Sequence, residues 1–426
     1  MRDTIHPQEA VAKESPVLER IDGLSKGLLF SLLGRLRRGR LAIRDGQDRA
    51  TFGERTADAD LEAEITVHHP RFYSRTVFGG SVGAGEAYMA GLWSADDLAA
   101  VFRIILLNQD LFMGLDRGLA RLKAPLYKLF HLLRRGSKKR SRQNITAHYD
   151  LGNDFYALFL DETMAYSCAV FERENSTLKE ASLAKFERIS RKLSLCAGDH
   201  VIEIGTGWGG FAIHAAKTYG CRVTTTTISK AQHALARERI REAGVQDRVT
   251  LLLEDYRDLK GTYDKLVSIE MIEAVGHRYL DTFFRCCSHL LKETGEMLIQ
   301  AITIADQAFD RHKKEADFIK RYIFPGSCIP SVTAMGISIA AATDLRLVHL
   351  EDITPHYART LRNWRERFFE NIDKVRALGY SETFIRMWEF YLSYCEAGFQ
   401  ERYLGDVQML FAKPRCRRVP LLPEIP

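Results

Sequence analysis

Between residues 201 and 211 the chain reads Val201-Ile202-Glu203-Ile204-Gly205-Thr206-Gly207-Trp208-Gly209-Gly210-Phe211. A β-branched run ends there in glycines spaced G-x-G-x-x-G, and a helix-compatible stretch follows. Strand, tight turn and helix make the nucleotide-binding corner of a doubly wound α/β domain. Glycine at 205, 207 and 210 lets the backbone turn sharply and lets a ligand lie against bare peptide. Dinucleotide-binding enzymes and methyltransferases share this pattern, so its neighbours must decide. An NAD site calls for an acid at the end of the next strand, ~20 residues on, to take the ribose hydroxyls. That strand reads Arg222-Val223-Thr224-Thr225-Thr226-Thr227-Ile228 and ends without one. Glu203 instead lies two residues before Gly205. There a carboxylate either braces the loop or meets the amino group of a methionyl tail, and both readings stay open. Asp255-Tyr256, just past the third strand, sits where a methyltransferase reads an adenine ring. The spacing favours S-adenosylmethionine over NAD.

The elements that must hold these residues follow from periodicity. Leu178 to Leu195 reads as an amphipathic helix leading to the strand at 201. After it come a strand at 221–228, a helix at 229–243 opened by a Ser229/Gln232 capping box, strands at 249–253 and 265–269, a helix at 278–291 and a strand at 296–304. Such alternation implies right-handed βαβ units and a mostly parallel sheet. From Asp306 to Pro330 the rhythm breaks around Phe318-Ile319-Lys320-Arg321-Tyr322-Ile323-Phe324-Pro325-Gly326, which reads as an inserted cap, about 306–345, over the carboxyl edge of the sheet. Residues 345–356, helices at 359–376 and 381–398, and a strand at 407–411 close the domain.

Ahead of it, residues 1–25 read as a weakly structured lead. Gly27 to Leu41 reads as a basic amphipathic helix, with Leu28, Leu29, Leu32, Leu33 and Leu36 opposite Arg35, Arg37, Arg38 and Arg40. Strand-like pieces follow at 41–43, 64–68 and 72–78, then helices at 86–91 and 95–107. The expected division is a small α+β domain over 1–120, a basic linker over 121–143, and an α/β domain over 144–426. In the linker, Arg134, Arg135, Lys138, Lys139, Arg140 and Arg142 put six cations in nine residues. No aromatics interleave with them, so anionic lipid headgroups suit the run better than nucleic acid.

With 426 residues, 46% hydrophobic and 27% charged, the chain can bury the core of two domains. No stretch reaches the ~18 apolar residues of a membrane span, and the polar N-terminus is no secretory signal. Eight cysteines form no CxxC pair, so neither a metal site nor a disulfide framework is expected, and a cytoplasmic setting fits.

Four further segments join the glycine loop: His148-Tyr149-Asp150-Leu151-Gly152-Asn153-Asp154-Phe155-Tyr156, Tyr166-Ser167-Cys168-Ala169-Val170-Phe171, Glu270-Met271-Ile272-Glu273-Ala274-Val275-Gly276 and Tyr322-Ile323-Phe324-Pro325-Gly326. Together they resemble the cyclopropane fatty acid synthase family from about 140 to 413. Gly83-Ala84-Gly85-Glu86-Ala87-Tyr88-Met89-Ala90-Gly91-Leu92-Trp93 resembles the N-terminal module of its two-domain bacterial members. The resemblance implies a Rossmann-like class I methyltransferase sheet. It implies S-adenosylmethionine contacts at Tyr166, Ser167, Gly205, Thr206, Gly207, Trp208, Gly209, Gly210, Thr227, Ile228, Gln232, Asp255 and Tyr256, with Glu203 beside them. It also implies a bicarbonate ion held by Cys168, Glu273, Tyr357 and the backbone at Ile302, a homodimer, and peripheral attachment to the inner face of a membrane.

The implied reaction puts the methyl of S-adenosylmethionine onto the double bond of an unsaturated phospholipid acyl chain. The resulting carbocation needs an apolar covered pocket, aromatic faces such as Tyr166, Phe171, Tyr322 and Phe324, and a base that reaches the new methyl. Deprotonation with ring closure gives a cyclopropane. A hydride shift first gives a methylene- or methyl-branched chain. This sequence departs from the best-known bacterial members, having Thr206 for a loop cysteine and Ala274 and Gln300 where they have histidines. Gln300 donates a hydrogen bond but accepts no proton, so either Glu273 relays it or the fate of the cation has changed. A lipid-binding protein that kept the fold without turnover is the alternative from another class.

Overall fold

The computed structural model describes residues 16–112, 151–315 and 317–421. The lead before Pro16, the cations at 134–142 and the start of the His148 segment lie outside them. The chain groups into two compact units. One comprises Met1–Leu133, Ala316–Ile323 and Arg376–Glu401; the other comprises Arg134–Glu315, Phe324–Val375 and Arg402–Pro426.

In the first unit, helix α1 (Pro16–Leu33) precedes strands β1 (Gly39–Asp45), β2 (Asp48–Glu54) and β3 (Glu62–Val67), then helix α2 (Arg71–Met89), strand β4 (Trp93–Ala95) and helix α3 (Leu98–Leu107). The sheet order is β2-β1-β3-β4, with β1 and β3 parallel. The helix Glu382–Gln400 completes this core: Phe390 packs on Tyr88 and Phe102 with ring centroids 5.7 and 4.8 Å away.

Three expectations are corrected here. Helix starts at Pro16, inside the supposed lead, with proline in its first turn where a missing N–H costs nothing. It stops at Leu33, so the four arginines share no helical face. Asn108 takes the chain instead: its Oδ1 accepts from the N–H groups of Arg37 and Arg38 at 2.9 and 3.3 Å, and its Nδ2 donates to Arg38 O at 2.8 Å. Residues 72–78 form the start of α2 rather than a strand. Phe72, Tyr73 and Val77 are buried together at helical spacing, which outweighs their strand propensity.

The second unit follows the expected alternation. Helices α4 (Asn153–Ala157) and α5 (Leu178–Lys192) lead to β5 (His200–Ile204) and α6 (Gly210–His214). Then come β6 (Arg222–Thr226), α7 (Lys230–Glu242), β7 (Val249–Leu252), β8 (Tyr263–Ile269), α8 (Leu280–His289) and β9 (Leu291–Ile304). After the short helix Asp306–His312 come α9 (Val332–Ala342), β10 (Arg346–Asp352), α10 (Thr354–Glu370) and β11 (Leu404–Ala412). The seven-stranded order is β10-β11-β9-β8-β5-β6-β7, parallel from β9 to β7 and antiparallel at β11 and β10. Strand β5 lies between β8 and β6, so the strand order reverses there and opens a crevice at the carboxyl edge.

Successive residues of β9 point to opposite faces. Ile299 belongs to a cluster with Phe283, Phe284 and Met335, while Leu298 belongs to one with Val201, Phe211 and Val223. Burial of each such side chain contributes about 1.5–3 kcal/mol. A one-residue slip would reverse both faces, so the core fixes the register that pairs Gln300 with Ile269 and Gln408.

Candidate active site

The glycine corner is built from backbone that only glycine adopts readily. Gly205, Gly207 and Gly209 have φ of 103°, 53° and 86°. The N–H groups of Gly205 and Thr206 both donate to Thr226 O, at 3.1 and 3.0 Å, and tie the turn to β6. A β-carbon on Gly207 would meet nothing within 4 Å, so bare peptide faces open space there. At Gly210 it would lie 2.7 Å from Thr163 O, so that glycine serves packing.

Around the corner, Trp208 is buried and donates to Asn153 Oδ1 at 2.7 Å. Arg239 donates to Trp208 O and Thr163 O at 2.8 and 3.0 Å. Thr227 Oγ1 donates to Gln232 Oε1 at 2.8 Å. Ser229 caps α7 by accepting from the Gln232 N–H, but the Gln232 side chain turns to Thr227, so the capping box is only half formed. Ile228 follows in the same turn. Asp255 is held by Arg257 through two side-chain bonds, at 2.7 and 2.6 Å. The ring of Tyr256 stands edge-on to Phe283 at 5.5 Å.

Glu203 is buried, and its Oε2 accepts from Thr225, whose hydroxyl pairs with that of Thr206. This is the bracing geometry. Burial pushes its carboxyl up to about 8.

Tyr166 lies beside Trp364 and Tyr156, with ring centroids 5.1 and 5.3 Å away, and Ser167 Oγ accepts from the buried Lys185 at 2.5 Å. Phe171 is not in this group: it stacks on His356 and carries the Arg359 guanidinium at 4.0 Å. Tyr322 donates to Glu86 within the first unit.

The second constellation lies one residue past β8 and on facing positions of β9 and β11. Glu270 has φ of 48°, a left-handed conformation that a non-glycine residue holds at a cost of about 1–2 kcal/mol. Its Oε1 accepts from the Cys168 N–H at 2.8 Å and from Gln300 Nε2 at 2.7 Å, and its Oε2 accepts from the Tyr357 hydroxyl at 2.6 Å. Glu273 Oε1 accepts from the Ile302 N–H at 2.6 Å, while its buried Oε2 has no hydrogen-bond partner among the described residues. Burial first, and the charge of Glu270 second, push Glu273 up to about 8. The same causes raise the fully buried Asp406 well above the usual carboxylate range. Burial likewise raises Cys168 and lowers Lys185.

Gln300 is fixed in orientation. Lys192 can only donate, so Gln408 must turn Oε1 to it, at 2.7 Å. Gln408 Nε2 then faces Gln300 Oε1 at 3.0 Å, which leaves Gln300 Nε2 for Glu270.

Of the residues singled out from sequence, Cys168, Gln300, Ile302, Glu273 and Tyr357 converge here. Glu270, Asp406, Gln408, Lys185 and Lys192 were missed. Asp406 and Gln408, polar at alternate positions of a buried strand, carried a legible signal. Glu270 opens the segment Glu270 to Gly276, but its direction depends on a backbone conformation that spacing does not encode.

Comparison with known proteins adds to this geometry. A model of the mycolic acid cyclopropane synthetase family matches residues 136–409. A tuberculostearic acid methyltransferase of Mycobacterium tuberculosis is 40% identical over 368 residues, spanning 84% of this chain and 85% of its own. The cyclopropane-fatty-acyl-phospholipid synthase of Escherichia coli K12 is 37% identical over 359 residues, spanning 82% and 88%. A solved mycolic acid cyclopropane synthase, complexed with SAH and CTAB, is 32% identical with a TM-score of 0.60, covering 64% of this chain and 98% of its own.

Proposed function

The chain belongs to the mycolic acid cyclopropane synthetase family, and from that premise we propose that it transfers a methyl group from S-adenosylmethionine to the double bond of an unsaturated acyl chain of a membrane phospholipid. It is a C-methyltransferase of the cyclopropane synthase type. The observation that carries the substrate reading is the carboxyl cluster at Glu270, set one residue from the glycine corner: Met271 packs against Gly205, 3.4 Å from where a β-carbon would sit. Methyl transfer to oxygen or nitrogen also sheds a proton, but from a heteroatom that calls for a polar, open pocket. Here the carboxyl cluster stands beside the buried rings of Tyr357 and Trp364, which suits an apolar alkene whose methylation must end in loss of a proton from carbon.

The corner fits S-adenosylmethionine, since Gly207 offers bare peptide to open space. Gly205 to Gly210, Thr227, Ile228, Gln232, Asp255, Tyr256, Tyr166 and Ser167 would hold it, with Glu203 bracing the loop. The bound donor supplies a strongly electrophilic methyl. Tyr166, with Trp364 and Tyr156 beside it, offers an aromatic face to a cation. Bicarbonate fits less well. The Ile302 N–H is taken by Glu273, and the Gln300 amide, Tyr357 hydroxyl and Cys168 N–H are taken by Glu270.

Among the described residues no helix is long and apolar enough to cross a membrane. We propose peripheral attachment through the N-terminal domain and the cations at 134–142, cytoplasmic placement, and a homodimer. Cyclopropane is the proposed product. A methyl- or methylene-branched chain is the second reading, favoured by the 40% identical tuberculostearic acid methyltransferase.

Incubation with S-adenosylmethionine and monounsaturated phospholipid vesicles, followed by mass spectrometry of the acyl methyl esters, tests this. A gain of one CH₂ with loss of the double bond is expected. The same gain with an alkene retained selects the methylene product. No gain in any unsaturated phospholipid would refute the enzyme reading.

A further inference from the structure

The proton that ends the reaction needs an acceptor. This inference rests on the methyl-transfer reading above and concerns which atom takes that proton. Three carboxyl groups gather at the site, and their surroundings differ. Asp406 is fully buried, and Glu273 has one oxygen on a backbone N–H and the other without a partner among the described residues. Glu270 alone has donors on both oxygens, three in all, each from a rigid source: a backbone amide, a tyrosine hydroxyl, and an amide whose orientation is dictated from Lys192 through Gln408. It also keeps partial exposure, whereas Cys168, Gln300 and Asp406 have none. Its strained backbone turns the carboxylate into this set of donors, and such strain persists only where the surroundings over-determine it.

We propose that Glu270 is the general base of this enzyme, and that its side-chain carboxylate stands where the family resemblance implies a bicarbonate ion. Two of the donors implied for the ion, at Cys168 and Tyr357, hold Glu270 together with the Gln300 amide, while the third, the Ile302 N–H, holds Glu273. In the step assigned to it, the methyl has already formed one C–C bond and left a cation on the acyl chain. A C–H bond of that methyl breaks, and the proton goes to a Glu270 oxygen to give a neutral carboxylic acid. The C–H electron pair becomes the second C–C bond of a cyclopropane, or, after a hydride shift, the double bond of a methylene group. The acid then returns its proton to water once the product has left. A hydrogen beside a carbocation is strongly acidic, so a weak base held in place suffices. The three donors also occupy lone pairs that could otherwise capture the methyl or the cation.

The test compares wild type, Glu270→Gln and Glu270→Gly in buffer stripped of carbon dioxide, with S-adenosylmethionine affinity measured by calorimetry and ¹³C-bicarbonate binding followed by NMR. Wild-type turnover is expected to hold within about twofold on depletion, with no bicarbonate bound. Glu270→Gln, which keeps the volume, is expected to lose about 10²-fold or more while its S-adenosylmethionine affinity stays within about threefold. Glu270→Gly relieves the strained backbone and empties the space. It is expected to bind bicarbonate and to regain about tenfold in rate when bicarbonate or formate is added. A wild type whose rate falls about tenfold on depletion, or a Glu270→Gln variant keeping more than about a tenth of its rate, would overturn the proposal alone. A wild type that modifies no acyl chain removes the methyl-transfer reading and this inference with it.

Discussion

Glu203 and Glu270 stand at the same sheet edge, and their surroundings assign them different work. Glu203 is buried with a single hydroxyl donor, and burial pushes it up to about 8. Its folded value lies above the ordinary glutamate value of 4.5, so the fold keeps a proton that the unfolded chain releases. Stability from this group is therefore fully present below 4.5 and is lost as pH rises towards 8. Glu203→Gln has no proton to lose and keeps an acceptor for Thr225. Calorimetric melting is expected to show the variant close to wild type at pH 5 and roughly 5 °C above it near pH 8.5. An equal difference at both pH values would remove the argument. Spacing showed that a carboxylate belongs before the glycines, but could not choose between bracing the loop and meeting a ligand. The same limit applies to Gln300. The sequence showed an amide in place of a proton acceptor. Only the chain from Lys192 through Gln408 shows it to be an obligate donor to Glu270.

Among the elements, the corner from β5 to α6 was the most legible, because a β-branched run ending in glycines has few other conformations. Its glycines nevertheless do different jobs. Gly207→Ala puts a β-carbon into open space on a left-handed residue, at a stability cost of about 1–2 kcal/mol. It should weaken S-adenosylmethionine by about tenfold or more, since the new methyl fills the space a ligand would use. Gly210→Ala drives a β-carbon against Thr163 O and Phe186, so the expected effect is on folding, with a melting temperature several degrees below that of Gly207→Ala. Calorimetry and ligand titration on the pair test this. Equal ligand affinity in Gly207→Ala and wild type would mean the ligand does not approach there. Elements held by distant contacts were the ones misread. The arginines after Leu33 look helical until Asn108, seventy residues later, captures the backbone of Arg37 and Arg38. At 72–78 aromatic and β-branched content suggested a strand, but burial at helical spacing decides otherwise.

At the scale of the molecule, the division at 120–143 expected from sequence and the grouping of the folded chain pose a question that truncation answers. The first unit draws on the distant segments 316–323 and 376–401. Arg386 donates to the carbonyls of Tyr88 and Trp93 at 2.8 and 2.9 Å, Tyr88 donates to Glu389 at 2.6 Å, and Phe390 packs on Tyr88, Phe102 and Phe318. Local periodicity finds the helix at 381–398 but cannot assign its partners, because its apolar face suits either core. A fragment of residues 144–426 would keep this helix and lose the surface that covers it. Each uncovered aromatic forfeits about 1.5–3 kcal/mol, so a few of them approach the whole margin of about 5–15 kcal/mol on which a domain stands. The fragment is expected to bind a hydrophobic dye, to melt without a sharp transition and to aggregate, and co-expression with residues 1–143 should restore a soluble, cooperatively melting complex. A monomeric fragment with the full-length melting temperature would instead make residues 144–426 an independent folding unit, with the N-terminal domain an appendage to it.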